Sequence, residues 1–154
     1  MKVFMTLAVL AGLGASLPAS AFCVYNELKD KEVSVLQEDH PDYQRNDRRF
    51  KVTLKPGANS CCEFKNLDCN PNGRQNSMVN FEVTLGSGDT PMKCGPAGVP
   101  DKAKVVKVSG DGVLRIVANP RHGTKGHENA SPYIARVWTH DKQDVTGPAG
   151  LPCR

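Results

Sequence analysis

Apolar residues along this chain recur mostly at every second position, the period of a strand with one buried and one wet face. The clearest run is Met78 to Leu85, where Val79, Phe81, Val83 and Leu85 fall on one side and Asn80, Glu82 and Thr84 on the other. Phe22 to Asn26, Val33 to Gln37 and Phe50 to Leu54 are shorter runs of the same kind, separated by turn chemistry. The charged stretch Glu27 to Glu32 divides the first two. Lys55-Pro56-Gly57 stops the third, with proline fixing φ and glycine free to take positive φ. Val105 to Val108 and Val113 to Ala118 flank Ser109-Gly110-Asp111-Gly112, which reads as a hairpin whose glycines supply left-handed conformations. The last run is Tyr133 to His140. No window of about 11 residues holds an apolar stripe at the 3.6 period with capping residues, so at most a turn of helix is expected. The prediction is all-β: a compact antiparallel β-sandwich of about seven to eight short strands, with no repeat of fixed period.

The N-terminus departs from this pattern. Lys2 precedes an almost wholly apolar run, Val3 to Leu17, followed by Pro18-Ala19-Ser20-Ala21, the layout of a secretory leader cut before Phe22. The apolar run is shorter than the roughly 20 residues that span a bilayer, and no later segment is more apolar than a single strand. The chain stops at Cys153-Arg154 without a hydrophobic tail, so neither a membrane anchor nor a glycolipid anchor is expected. The expected organisation is residues 1–21 as a signal peptide and residues 22–154 as one secreted domain. Removing 21 residues from 154 leaves 133, enough for a single core.

All six cysteines, Cys23, Cys61, Cys62, Cys69, Cys94 and Cys153, lie behind the leader. An even number in an oxidising compartment predicts three disulfides and no free thiol. Six cysteines allow about fifteen pairings, and discarding the three that join the neighbours Cys61 and Cys62 leaves about twelve. Among these, Cys23 to Cys153 closes the longest loop, worth about 4–5 kcal/mol on the chain-entropy argument, and it is the pairing expected here. Cys61, Cys62, Cys69 and Cys94 then form the other two bridges. Neither Cys62-x6-Cys69 nor His122-x4-His127 is a zinc spacing, and no CxxC occurs, so no metal or other cofactor is expected.

Charge narrows the function classes. The formal +4 falls to about +3 once Lys2 leaves, and the charges are interspersed, as in Lys29-Asp30-Lys31-Glu32 and Asp47-Arg48-Arg49. That is an ordinary solvated surface, not a nucleic-acid footprint. The chain has no GxSxG, HExxH or P-loop, so no enzyme is expected. Glu38, Asp39 and Asp42, with His40 and Tyr43 among them, form a solvated acidic turn before and after Pro41. Phe22, Tyr25, Phe50, Phe64, Phe81, Tyr133 and Trp138 fall mostly at strand positions that read as core, leaving few rings for stacking on sugars. Asn129-Ala130-Ser131 fits a glycosylation acceptor, but Pro132 spoils it. The candidate binding residues are Arg121, His122, Lys125 and His127, in the polar loop Asn119 to Asn129. Loops on a rigid β scaffold carry function disproportionately, and this one offers positive charge to an acidic partner, more of it below about pH 6.5.

The order Phe22-Cys23-Val24-Tyr25-Asn26, Lys55-Pro56-Gly57, Ser60-Cys61-Cys62-Glu63-Phe64 and Asp68-Cys69-Asn70-Pro71 resembles the small secreted cysteine-rich proteins of fungi over about residues 22–95. The opening strand, the Pro-Gly turn and the following cysteine are distantly similar to the start of thaumatin-like β-sandwich proteins. Those carry many more cysteines and an acidic cleft, so their glucan activity does not carry over. The fungal resemblance implies a secreted, non-enzymatic interaction protein, an effector or virulence-related protein acting on a host or at the cell wall through an extracellular protein partner. The alternative is a small polysaccharide-binding module or hydrolase.

Overall fold

A computed structural model describes residues 21–38, 48–87, 90–139 and 141–154. The expected signal peptide, apart from Ala21, and the acidic turn from Asp39 to Tyr43 lie outside the described residues. The rest is all-β, with ten strands: β1 (Ala21–Asn26), β2 (Val33–Gln37), β3 (Lys51–Leu54), β4 (Asn59–Glu63), β5 (Met78–Leu85), β6 (Met92–Cys94), β7 (Val106–Ser109), β8 (Val113–Ala118), β9 (Tyr133–Trp138) and β10 (Leu151–Cys153). The only helical segment among the described residues is one 3-10 turn at Asp101–Ala103. Three strands lie outside the seven runs read from the sequence: β4, which carries Cys61 and Cys62, and β6 and β10, each of three residues.

The strands join into one nearly closed sheet in the order β3-β2-β5-β6-β10-β9-β8-β1-β4, with β7 also paired to β5. Pairing is antiparallel throughout except between β1 and β8, which run parallel. The alternation read in β5 holds: Val79, Phe81, Val83 and Leu85 are buried, and their neighbours are not. Phe22, Phe50 and Phe81 meet at the centre with ring centroids 4.9–5.7 Å apart in edge and tilted arrangements, the geometry aromatic quadrupoles favour. Lys55-Pro56-Gly57 turns as expected, with Gly57 at φ 76° and the Ala58 amide donating to the Lys55 carbonyl at 3.0 Å.

A polar residue pins the first connection. Asn26 is buried, and its Nδ2 donates to the carbonyls of Lys31 at 2.8 Å and Leu54 at 3.0 Å, while its Oδ1 accepts from the Leu28 amide at 3.1 Å. These bonds satisfy the side chain and tie the charged turn to β3.

The hairpin expected around Gly110 and Gly112 does not form. β7 pairs with β5, whereas β8 pairs with β1 and β9, so the turn carries the chain from one half of the sheet to the other. Its glycines do not sit in the left-handed region either. They are needed for close approach: a Cβ on Gly110 would lie 2.4 Å from the Arg74 carbonyl oxygen and 2.4 Å from Asn70 Nδ2, and one on Gly112 2.7 Å from the Trp138 carbonyl oxygen.

Three disulfides form and no cysteine is free, but Cys23 does not pair with Cys153. The bridges are Cys23–Cys61, Cys62–Cys69 and Cys94–Cys153. Strand register decides the first and third, since Cys23 lies opposite Cys61 in the β1–β4 pair and Cys153 opposite Cys94 in the β10–β6 pair. A disulfide needs Cα atoms within about 7 Å, which register supplies and loop length does not. Partial reduction with stepwise alkylation should therefore recover Cys94 joined to Cys153. A peptide pair holding Cys23 and Cys153 would contradict the register.

Candidate functional site

Strands β1, β8 and β9 bury Phe22, Val24, Leu114, Ile116, Ala135 and Val137 on one side. Their other side faces outward except at the buried Ile134, and register lines up its residues: Tyr25 opposite Arg115, Arg115 opposite Arg136, and Val113 opposite Trp138. The result is a row of alternating rings and guanidinium groups. The Arg115 guanidinium carbon lies 5.0 Å from the Tyr25 ring centroid and 5.6 Å from that of Trp138, and Arg136 lies 4.8 Å from Trp138. At these separations the ring quadrupole attracts the cation.

Acidic residues hold the row in place. Arg115 donates to Glu27 Oε1 at 2.6 Å, and Arg136 pairs with Asp144. Asp144 is fixed in turn, its Oδ1 accepting from the Thr146 amide at 3.0 Å, the Thr146 hydroxyl at 2.8 Å and the Gly147 amide at 3.1 Å. Burial raises the Asp144 carboxyl, but the bonds from Thr146 and Arg136 outweigh it and hold the group below its usual range. A carboxyl depressed on folding stabilises the fold above its unfolded pKa and loses that contribution as pH falls through the folded value. Asp144→Asn should therefore lower the melting temperature at pH 6, with the gap to the parent closing below about pH 4. Thermal melts across that range check it, and a gap independent of pH would count against the pairing.

Arg115, Trp138 and Arg136 of this row line a groove of about 620 Å³. Val113, Val117 and Trp138 supply apolar surface, Glu27, Arg115 and Arg136 charge, and Asp111, Thr139 and Lys142 complete the lining. The volume lies within the range of small-ligand sites. Lys142 belongs to the turn after β9, where the Lys142 amide donates to the Thr139 carbonyl and the Thr139 amide to the Gln143 carbonyl, both at 2.9 Å.

The four residues picked from the sequence, Arg121, His122, Lys125 and His127, are all exposed on the β8–β9 connection. That segment is a chain of turns built on its own hydrogen bonds. His122 Nδ1 lies 2.7 Å from the Ala130 carbonyl, the Thr124 hydroxyl donates to the Arg121 carbonyl, and the Gly126 amide donates to Glu128. None of the four lines the groove, which runs along the outward face of β8 from Val113 to Val117. The distance along β8 from Val113 to Ala118 is about 17 Å.

Tyr25 and Trp138, expected in the core, face outward and are only partly covered. The signal was in the sequence: Arg136 and Trp138 are two apart in a strand, as are Val113, Arg115 and Val117, so in each strand an arginine shares its face with the residues beside the groove. Among the described residues no helix is long and apolar enough to cross a membrane, and no three His, Cys, Asp or Glu side chains cluster to hold a metal ion. Comparison with protein-family models, curated proteins and solved structures returned no match.

Proposed function

We propose that this is a secreted, non-enzymatic interaction protein, an effector or cell-wall component that binds an extracellular protein partner through the groove on β1, β8 and β9. The observation that carries the reading is the outward row Tyr25, Arg115, Trp138 and Arg136. Tyrosine, tryptophan and arginine are the residues most enriched where protein interfaces concentrate their binding energy. Stacking and ion pairing hold these four in place, so little side-chain entropy is lost on binding. Three disulfides suit a protein built for an oxidising compartment.

Arg121, His122, Lys125 and His127 extend the contact in this reading. A standard interface covers about 800 Å² per partner, wide enough to reach from the groove to the loop. The loop adds positive charge that suits an acidic partner surface. The polysaccharide reading is weaker, because Arg115 and Arg136 both lie over the Trp138 ring, and a sugar stacking there would have to displace a guanidinium.

The test is capture of a partner from host extracellular fluid or cell-wall extract by three proteins of equal melting temperature. Arg115→Ala with Trp138→Ala should abolish capture. Replacing Arg121, His122, Lys125 and His127 together with Ser should weaken capture without abolishing it. Capture indifferent to the groove pair would overturn the reading.

A further inference from the structure

We propose that Lys142 is a binding residue and that the groove takes an acidic protein segment, its carboxylates held by Lys142 together with Arg115 and Arg136. This inference rests on the groove being the partner-binding surface and adds the chemistry of what enters it. The first observation is backbone conformation. Nine described residues have positive φ; eight are glycines, and the other is Lys142, at φ 64°. A residue with a Cβ is disfavoured there, and glycine or asparagine is the usual solution. Backbone of this kind persists where the side chain is wanted, and such positions cluster at binding sites. Here the side chain lines the groove.

The second observation is the state of the cations. Arg115 is paired with Glu27 and Arg136 with Asp144, whereas Lys142 makes no ion pair among the described residues. Each guanidinium carries five N–H donors and each ammonium three, and the Arg115 and Arg136 bonds to Glu27 and Asp144 leave most of them unused. The Arg136 Nε is buried and has no partner among the described residues. The three cations of the lining, Arg115, Arg136 and Lys142, outnumber its two acids, Glu27 and Asp111, so the groove complements a ligand that brings acceptors and negative charge. Carboxylates fit this need, and arginine receives them in a two-pronged geometry that also sets orientation. Since both guanidinium groups cover the Trp138 ring, the ligand reads as a chain of carboxylates lying across the row, with its apolar side chains against Val113 and Val117, and not as a stacked sugar.

The experiment titrates the intact protein with a synthetic peptide of alternating Asp, Glu and Leu, its Asn/Gln counterpart and an oligogalacturonate, following the Trp138 indole by NMR and the affinity by calorimetry. The acidic peptide should bind and shift the indole resonance, the amide peptide and the oligouronate should not, and binding should weaken as salt is raised. Lys142→Gly should raise the melting temperature and weaken the acidic peptide by about tenfold, whereas Lys142→Arg should keep the affinity. Stronger binding of the oligouronate, no binding of the acidic peptide, or an affinity unchanged in Lys142→Gly would each overturn the inference. If the groove pair still abolishes partner capture in those cases, the interaction reading survives and only its acidic chemistry fails.

Discussion

Val83→Asp should leave the protein unable to hold its fold at neutral pH. Val83 is wholly buried at the centre of β5, opposite Val35 on β2 and Cys94 on β6. A carboxylate there loses its hydration inside the apolar core cluster, with Val35 and the Cys94–Cys153 bridge on the neighbouring strands. The protein must either bury the charge or protonate the group, and the penalty is about 4 kcal/mol or more. That is a large share of the stability of a typical domain, about 5–15 kcal/mol. Glu82→Gln, one residue away, is the control. Glu82 faces outward and pairs with Lys93 at 2.7 Å, both partly exposed, and such pairs are worth about 1 kcal/mol or less. Urea titration of the two variants checks the contrast, and comparable losses would mean that β5 does not present its faces as described.

The second large effect is expected at the turn between β7 and β8. Gly110→Ala sets a methyl 2.4 Å from the Arg74 carbonyl oxygen and from Asn70 Nδ2, and neither can yield cheaply. Asn70 is fully buried, its Nδ2 donating to the carbonyls of Phe64 and Arg74 at 2.9 Å and its Oδ1 accepting from the Ser77 hydroxyl at 2.6 Å. Ser77 in turn accepts the Gly110 amide through its backbone carbonyl at 2.8 Å. Overpacking of this kind costs about 1–3 kcal/mol, and the broken bonds of a buried asparagine add to it. Gly57→Ala is the comparison: its Cβ meets nothing within 4 Å, so only the positive φ resists it. Thermal melts should rank Gly110→Ala clearly below Gly57→Ala. The reverse order would mean that the close approach at Gly110 is not what requires glycine there.

What could be read from the chain and what could not divide along physical lines. A period of two states which residues share a face, and Val79, Phe81, Val83 and Leu85 are buried as that period requires. It also sorts Arg136 with Trp138, yet it does not say that this face of β9 is the wet one. An aromatic ring at a strand position reads as core until the arginines beside it are counted, which is why Tyr25 and Trp138 read as inward. Pairing between strands is beyond a local pattern. Gly110-Asp111-Gly112 looks the same whether the next strand folds back or crosses to the other half of the sheet, and the pairing of β7 with β5 and of β8 with β1 and β9 is what distinguishes them. The cysteine pairs followed register, which places Cys153 beside Cys94 although Cys23 would close the longer loop. Lys142 carried no signal at all, because its left-handed backbone is invisible until the turn is built.

The central claim is that the outward face of β1, β8 and β9 meets the partner. Site-specific photo-crosslinking tests it most directly, with a photoreactive residue in place of Val117 beside Arg115 and, in a second protein, in place of the exposed Thr53 on β3. After incubation with the extracellular partner and irradiation, the account predicts a crosslinked product from position 117, suppressed by excess acidic peptide, and none from position 53. A product from position 53 with none from position 117 would contradict it.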